Sequence, residues 1–400
     1  MPVMVRLTMA SLSACFVTVA GAQSYSPIVD DRVQTDVVDY PEISNSAEHR
    51  GGLELSAVIS TAYDSNIFLS ETDPVPDTVI RIGPVISYTQ GDAKEGEGGF
   101  IKFAYQPTGV IYVENSSESR VDQTAVMTAG WRGKVTSVTY TGVARSLADA
   151  TADTGGQTDR VEFDNEVMAA WIPREKITVV LAAGYGEVNY SDPTLFDSTE
   201  TYARLGIRYT YSPKTEVGMA YQVGRLLVDG GSNQTLQQVT AGIAWQPREK
   251  IRIAIQSGVE FRNAQDGADV NPVLESRIDW TPRQGTSLYL TGYQRQEASA
   301  YYAGQDYNVL GATAGISQRL GGNWTAHLEG GREKVSYSRV SGFGNSGRKD
   351  AIWFVRPAIQ YKFTDALDVS VFYRASDDSS TAKGFGYSQR LTGIELTYKF

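Results

Sequence analysis

The alternation of apolar and polar residues is the feature of this sequence that most limits how the chain can fold. From Leu53 onward, segments of about 10 to 14 residues carry an apolar side chain at every second position. Residues 251–261, for example, place Ile251 and Ile253 on one face and Arg252 on the other. A period of two is typical of a β-strand whose two faces meet different surroundings. The segments are longer than most soluble strands and match the length that a tilted membrane strand needs.

A repeat of about 40 residues orders these segments. Alternate segments end in a large residue that is followed by a tight turn, at Tyr88, Trp131, Trp171, Tyr211, Trp245, Trp280, Leu320, Tyr361 and Phe400. A soluble β-propeller blade has a similar period, but it packs four strands into each repeat, and here each repeat holds two. Nine repeats of two strands predict an all-β, transmembrane, antiparallel up-and-down β-barrel of about 18 strands, with 16 as the alternative.

The turns and loops differ between the two ends of the predicted strands. The turns after the large residues are short, whereas longer polar loops are predicted at 147–159, 190–199, 263–272, 337–349 and 377–386. Short periplasmic turns, longer outer loops and an aromatic girdle are typical of outer-membrane barrels. The aromatic residues of the repeat, Tyr88, Trp131, Trp171, Tyr211, Trp245, Trp280, Tyr361 and Phe400, are therefore predicted to lie at one membrane interface.

The first 52 residues are predicted to lie outside the barrel. Residues 1–22 read as a cleaved signal peptide with an Ala-Gly-Ala site at 20–22, and a lipoprotein box at Leu12–Cys15 is the alternative. Residues 23–52 are acidic and aperiodic, which predicts a flexible arm on the periplasmic side or, alternatively, a lumenal plug. The barrel then spans 53–400, and the expected location is the outer membrane of a Gram-negative cell.

The composition argues against several classes of function. The chain is acidic, with a formal net charge of −10 and no basic stripe, which disfavours nucleic-acid binding. Its two histidines, His49 and His327, lie in no Ser-His-acid pattern, and the only cysteine, Cys15, falls within the predicted signal peptide. No established metal-binding or cofactor-binding motif is present. Asp149, Asp153 and Asp159 could hold a calcium ion in an outer loop, but an acidic loop of this kind is usually solvated. We therefore expect neither catalysis nor a cofactor or metal.

The polar faces of the strands predict the residues that line the lumen. These candidates are Arg204, Arg208, Arg252, Glu275, Arg277, Asp279, Arg356 and Arg374. One interpretation is cross-strand ion pairing that stiffens the wall, since charges in a wide hydrated barrel cost little. The other is a selectivity surface on which arginines contact anionic groups. Tyr202, Tyr289 and Tyr293 are also candidates, either for wall packing or for stacking on sugar rings.

A resemblance to a known family concerns the first predicted hairpin. The segment Tyr63-Asp64-Ser65-Asn66-Ile67-Phe68, followed by the strand from Asp77 to Pro84, resembles the start of the beta-barrel porin 2 family of Gram-negative outer membranes. The terminal Phe400 also resembles the signature that the barrel-assembly machinery reads. The family resemblance implies an outer-membrane location and an association with exopolysaccharide or capsule secretion.

Two functions follow as hypotheses. The first is a porin-like conduit, either a general diffusion channel or the outer-membrane exit of an exopolysaccharide export system, with polysaccharide and its export partners as the molecules it meets. The second is a structural or adhesive protein with a plugged lumen, whose outer loops bind surface polymer or a partner. In both cases the barrel contacts outer-membrane lipids, and the sequence leaves its oligomeric state open.

Overall fold

The computed structural model describes residues 52–91, 97–231, 233–264, 267–337 and 347–400. The predicted signal peptide and all of the predicted arm except its last residue lie outside this part of the chain. The strands are β1 (Gly52–Asp64), β2 (Asp77–Gln90), β3 (Gly98–Tyr112), β4 (Arg120–Arg132), β5 (Thr136–Leu147), β6 (Ala150–Thr151), β7 (Gly156–Gln157), β8 (Arg160–Arg174), β9 (Ile177–Tyr190), β10 (Ser198–Ser212), β11 (Thr215–Val228), β12 (Gln234–Arg248), β13 (Ile251–Ala264), β14 (Gly267–Arg283), β15 (Thr286–Ala298), β16 (Asp306–Gly321), β17 (Trp324–Tyr337), β18 (Lys349–Lys362), β19 (Leu367–Ser380) and β20 (Tyr387–Lys399). Within the described residues no helix is long and apolar enough to span a membrane.

Eighteen of these strands form one closed antiparallel barrel, which confirms the predicted fold and strand number. Each barrel strand pairs with the next along the chain, and β5 pairs with β8 because β6 and β7 form a small separate hairpin. The first and last strands close the sheet, with Ser56 opposite Lys399 and Asp64 opposite Leu391. Closure leaves no strand edge, so the backbone polar groups of the barrel strands can bond within the sheet, as a lipid environment requires.

The period of two places apolar side chains on the outside of the barrel. On β10, Leu205 and Ile207 are 48% and 47% exposed, whereas the flanking Arg204 and Arg208 are turned inward and largely covered. The same alternation runs through the other barrel strands, so large aliphatic and aromatic side chains cover the outer surface. The pleat of each strand thus sorts the sequence into an apolar exterior and an interior that holds the charges.

The connections also differ between the two ends of the barrel, as predicted. We call the end of the barrel at which β1 begins and β20 ends the turn end. Most connections there have two to four residues, such as 175–176 and 213–214. The opposite end, the loop end, carries longer connections, including 65–76 and 148–159. The predicted long loop at 263–272 is wrong, because Phe261 pairs with Val270 and the ladder continues to Ala264 and Gly267. Polar residues beyond the apolar band extend a strand as readily as they form a loop.

The large residues of the 40-residue repeat lie at the turn end. Trp131, Trp171, Trp245 and Trp280 are 45–53% exposed on the outer surface, and Tyr88 and Tyr211 are exposed there too. Tyr361 packs against Trp324, with ring centroids 4.6 Å apart, and Phe400 packs against Tyr398 at 5.0 Å. These side chains form a band around one rim of the barrel, where rings that are partly polar prefer to sit in a bilayer.

Candidate functional site in the barrel interior

Ion pairs cover the interior wall where the sequence predicted lumenal charge. Arg204 Nη2 lies 2.7 Å from Glu166 Oε2, and Arg208 Nη1 lies 3.6 Å from Glu216 Oε1. The side chains of the two arginines are only 9% and 13% exposed. The pair formed by Arg277 and Asp279, at 2.8 Å, is more open, with exposures of 55% and 39%. Cross-strand and same-face pairing therefore balances these charges within the wall.

The other predicted lumen residues lie on the same inner face but have different surroundings. Arg252 and Glu275 are exposed, the Arg356 guanidinium lies 6.0 Å from the centroid of the Phe372 ring, and Arg374 is 4% exposed with its guanidinium 5.7 Å from the Phe354 ring. The structure thus brings all eight candidates to one surface without gathering them into a single cluster. Their contact with a passing solute stays a prediction.

Three rows of tyrosine, glycine and glutamate cross neighbouring strands on this inner face. In each row the three residues lie directly opposite one another in register, as Tyr202–Gly184–Glu166, Tyr289–Gly315–Glu329 and Tyr293–Gly311–Glu333. The tyrosine reaches across the glycine strand, and its hydroxyl donates a hydrogen bond to the glutamate, at 2.7 Å for Tyr202 and Glu166. We call these the Tyr-Gly-Glu rows.

Glycine at the centre of each row makes room for the ring. A Cβ atom on Gly184 would lie 2.2 Å from the Tyr202 ring, and one on Gly311 would lie 2.3 Å from the Tyr293 ring. Each tyrosine also has an arginine close by, for example Arg295 at 4.9 Å from the centroid of Tyr293. Rings held between a glycine backbone and a guanidinium are packed into the wall, which favours the packing interpretation of these tyrosines over sugar stacking.

An apolar cluster occupies part of the interior toward the loop end. Its buried members are Leu69, Ala152, Tyr307, Val309, Val335, Tyr337, Ile352, Phe354 and Tyr387. The lumen lining predicted from the sequence consisted of polar residues and tyrosines and did not include this cluster. The reason is that these inward positions face other protein groups instead of solvent, so apolar side chains are buried there.

The loop that covers this cluster is residues 148–159, which we call the cross-bore loop. It leaves the barrel between the fifth and sixth strands, β5 and β8, and contacts the connections after the thirteenth and fifteenth strands, β15 and β17. In a ring of eighteen strands these positions lie on either side of the point diametrically opposite. The loop therefore spans the interior from one wall to the other.

Asp153 holds the tip of the cross-bore loop against the far wall. Its carboxylate accepts hydrogen bonds from the Ser299 hydroxyl at 2.9 Å, the Ala300 amide at 2.8 Å and the Tyr337 hydroxyl at 2.8 Å. Arg348 adds two more bonds by donating to the carbonyl oxygens of Ala152 and Asp153. Hydrogen bonds to a charged group are stronger than neutral ones, so this set forms a firm attachment.

Arg348 also joins the loop to a group of aromatic side chains at the mouth. Its guanidinium lies 3.8 Å from the centroid of the Phe385 ring and 4.6 Å from that of Tyr337, and it pairs with Asp350 at 2.8 Å. Tyr302 meets Tyr337 edge to face, with centroids 5.6 Å apart. The connections that precede β8, β16, β18 and β20 therefore meet above the apolar cluster.

The base of the cross-bore loop is fixed by a charged pair. Asp149 is 2% exposed and accepts a hydrogen bond from Arg160. Burial alone would raise the pKa of the Asp149 carboxyl, but the Arg160 guanidinium, together with Arg120 and a backbone hydrogen bond, outweighs burial and holds that pKa below its usual value. Arg160 also contacts Glu162 at 2.8 Å. On the near side, Gln157 donates to the Ile67 carbonyl at 3.1 Å, which ties the loop to the first connection.

Histidine and acidic side chains are the candidate metal ligands within the described residues. His327 lies on the inner wall with Nε2 3.4 Å from Gln360 Oε1, and His49 lies outside the described residues. In the part of the chain that the structure describes, no group of three or more His, Cys, Asp or Glu side chains could hold a metal ion.

Comparison with known proteins finds similarity only to solved structures. No family model matches the sequence, and no curated protein matches it either. Among solved structures the chain is similar to Pseudomonas aeruginosa OpdQ, with 12% identity, coverage of 88% of this chain and 97% of that chain, and a TM-score of 0.47. It is also similar to OccK2 (OpdF) of the same organism, crystallised with glucuronate, with 9% identity, 88% and 98% coverage and a TM-score of 0.47.

A third similar structure is the siderophore receptor PirA of Pseudomonas aeruginosa, at 10% identity, 86% and 80% coverage and a TM-score of 0.41. Identities this low identify neither a family nor a substrate for this chain. The likeness of Tyr63–Phe68 to the beta-barrel porin 2 family therefore stays a resemblance.

Two features of the interior were missed from sequence. Asp153 was treated as part of a solvated acidic loop, although it anchors that loop across the barrel. Glu200 is absent from the lumen-lining candidates predicted from the sequence, whereas it lies on β10 with its side chain 6% exposed. A local signal for Glu200 existed, because it continues the inward register of Tyr202 and Arg204.

Proposed function

We propose that this protein is an outer-membrane, porin-like channel for small hydrophilic solutes. The single observation that carries the proposal is a closed 18-stranded barrel whose outer surface is apolar and whose inner face holds ion pairs and hydrogen-bonded polar rows. An apolar outer surface of this extent is stable when it faces lipid acyl chains. The charged inner face is stable when it contacts water or other polar groups. An aromatic band at the turn end supports the same orientation in a bilayer.

The cross-bore loop supports a narrow or gated channel over a wide one. Its attachment at Asp153 crosses the interior, and the apolar cluster beneath it fills part of the space toward the loop end. An exit for exopolysaccharide would need room for a hydrated polymer chain. The resemblance at Tyr63–Phe68 is the only support for exopolysaccharide export. The docked cross-bore loop disfavours export, because it narrows the interior.

Conductance of the purified protein in planar lipid bilayers tests the proposal. We expect ohmic steps, and we expect Asp153→Ala to raise the mean conductance because the loop is released from the far wall. Bilayers that stay silent with both the unmodified protein and the Asp153→Ala variant would contradict a channel.

Ion selectivity gives a test of the wall itself. Arg204→Gln leaves the Glu166 carboxylate without its guanidinium, so the reversal potential in a salt gradient should shift toward cation selectivity. Arg225→Gln is the matched control, since Arg225 lies on the outer face of β11 and its removal takes away the same charge. Equal shifts for the two variants would show that the current does not pass along the Arg204 wall.

A second candidate is a structural or adhesive outer-membrane protein with a plugged interior. The docked cross-bore loop and its apolar cluster favour it, because they would serve as a permanent closure as well as a gate. A strain lacking this protein would then keep its solute permeability and lose a surface coat or adhesion. Reduced permeability in that strain, restored by the unmodified gene, would favour the channel.

A further inference from the structure

A cavity of about 110 Å³ lies inside the barrel beneath the cross-bore loop. The loop contributes Asp153 to its lining, and the walls come from β8 to β11 on one side and from β15 to β18 on the other. This volume accommodates a compound of a few heavy atoms. Four aromatic rings line it, those of Tyr190, Phe196, Tyr307 and Tyr337.

One carboxylate that lines the cavity has no hydrogen-bond donor. Both oxygens of Glu200 are buried and unpartnered among the described residues, and the residue is 6% exposed. Its neighbours across the ladder explain this, because Gly186 on β9 has no side chain and Leu226 on β11 offers no donor. An unpaired buried carboxylate is costly, and at a cavity a donor that enters from outside the chain can supply the missing partner.

The other carboxylates of the cavity each have a donor. In the described part of the chain each accepts at least one hydrogen bond, namely Asp153, Glu162, Glu187, Glu297 and Asp350. The second oxygen of Asp350 has no hydrogen bond but lies 2.8 Å from Arg348 Nη2. Among the described residues, Glu200 is therefore the lining carboxylate that has no donor on either oxygen.

The charges around Glu200 favour a cation. Arg262 is the basic residue that attracts the Glu200 carboxylate electrostatically. Its guanidinium is already paired, however, because it lies 2.5 Å from Glu260 and 3.2 Å from Asp306. Arg160, the basic residue of the lining, is likewise shared between Asp149 and Glu162. The local balance is therefore negative, and a negatively charged concave site raises the local concentration of cations.

The cavity does not suit a metal ion. A divalent cation such as calcium takes six to eight oxygen ligands, and the described residues hold no group of three or more side chains that could supply them. A single free carboxylate among aromatic rings instead matches an organic cation, since ring faces attract positive charge.

We propose that this cavity binds a small primary ammonium compound. The –NH3+ group takes Glu200 as its counter-ion and donates to the two free carboxylate oxygens, while the carbon chain packs against the aromatic rings. The site does not depend on transport, because equilibrium binding requires only the folded barrel.

Calorimetric titration of the purified full chain in detergent micelles with propylammonium chloride tests the site. We expect saturable binding in the millimolar range, as befits a ligand of four heavy atoms. In Glu200→Gln, which keeps the shape of the side chain and removes its charge, the affinity should fall at least tenfold. The matched control is Glu54→Gln, an exposed position on β1 near the turn end that lies outside the cavity lining, and its affinity should be unchanged.

A neutral ligand and a folding check complete the test. 1-Propanol has the same number of heavy atoms as propylammonium and should show no saturable binding, because it lacks the charge. All three proteins should show the same shift between folded and heat-unfolded forms on a gel. The proposal is overturned if folded Glu200→Gln binds propylammonium as tightly as the unmodified protein, if the unmodified protein shows no saturation, or if 1-propanol binds equally well.

Discussion

Replacing Asp153 with alanine should release the cross-bore loop from the far wall. The change removes three hydrogen bonds to a carboxylate, from Ser299, Ala300 and Tyr337, and leaves the two bonds from Arg348 in place. Because water can replace these partners at the mouth, we take the contribution of an ordinary hydrogen bond, about 1 kcal/mol, for each of the three bonds. The free energy of docking should therefore become less favourable by roughly 3 kcal/mol. Because 1.4 kcal/mol corresponds to a factor of ten, the undocked fraction of the loop should rise about a hundredfold.

Thiol labelling measures this fraction directly. Ala152 is 7% exposed in the docked loop, where it packs in the apolar cluster, so a cysteine placed there should react with a soluble maleimide only when the loop undocks. The chain's single natural cysteine, Cys15, lies in the predicted signal peptide and would be absent from a processed protein. When closing is faster than labelling, the observed rate is proportional to the undocked population. The rate for Ala152→Cys should therefore increase about a hundredfold when Asp153→Ala is added.

The matched control removes the same charge from the same loop. Asp159 is exposed, and Asp159→Ala should leave the labelling rate of Ala152→Cys within about twofold of its starting value. Labelling that is already fast with Asp153 in place, or that does not change in the Asp153→Ala background, would refute the attachment that we infer across the barrel.

Two further predictions concern the wall. Ile255→Arg should make the free energy of barrel insertion less favourable by roughly 2 to 4 kcal/mol, because Ile255 is 40% exposed on the apolar outer face. Gln256→Arg, on the inner face, should insert normally in a liposome folding assay. Equal effects of the two variants would contradict the assignment of the two faces. Gly184→Ala should lower the thermal unfolding temperature, at a cost of about 1 to 3 kcal/mol, because its Cβ would lie 2.2 Å from the Tyr202 ring. Gly206→Ala is the control, since a Cβ atom there would lie no closer than 3.5 Å to its neighbours. A similar loss of stability in both variants would contradict a specific requirement for glycine in the Tyr-Gly-Glu row.

The barrel could be predicted from the sequence because its cause is local. Every strand has an outer side and an interior side. Neighbouring residues such as Arg204 and Leu205 therefore differ in polarity according to the side on which they lie. The repeat then counts the strands, and connection lengths distinguish the two ends. The error at 263–272 has the same origin, since beyond the apolar band both sides of a strand are polar and the alternation disappears although Phe261 still pairs with Val270.

The contacts inside the barrel could not be predicted in this way because they are not local. Asp153 and Ser299 are 146 positions apart, and they meet only because the ring has eighteen strands and the loop reaches its opposite side. The same holds for the Tyr-Gly-Glu rows, in which a glycine such as Gly315 reads in the sequence as a turn former. Its role appears only when the register sets it between Tyr289 and Glu329.

A wide barrel must keep its interior either hydrated or packed, and this one combines the two solutions. Pairs such as Arg277 and Asp279 are open enough for water to screen them, so their charges cost little. Beneath the cross-bore loop the charged side chains are buried, and there each charge needs a partner, as Arg160 has in Asp149 and Glu162. Glu200 departs from that requirement in the packed region. If a cation binds at Glu200, we expect it to stabilise the docked position of the loop, because the unpaired carboxylate is costly only while the loop covers the cavity.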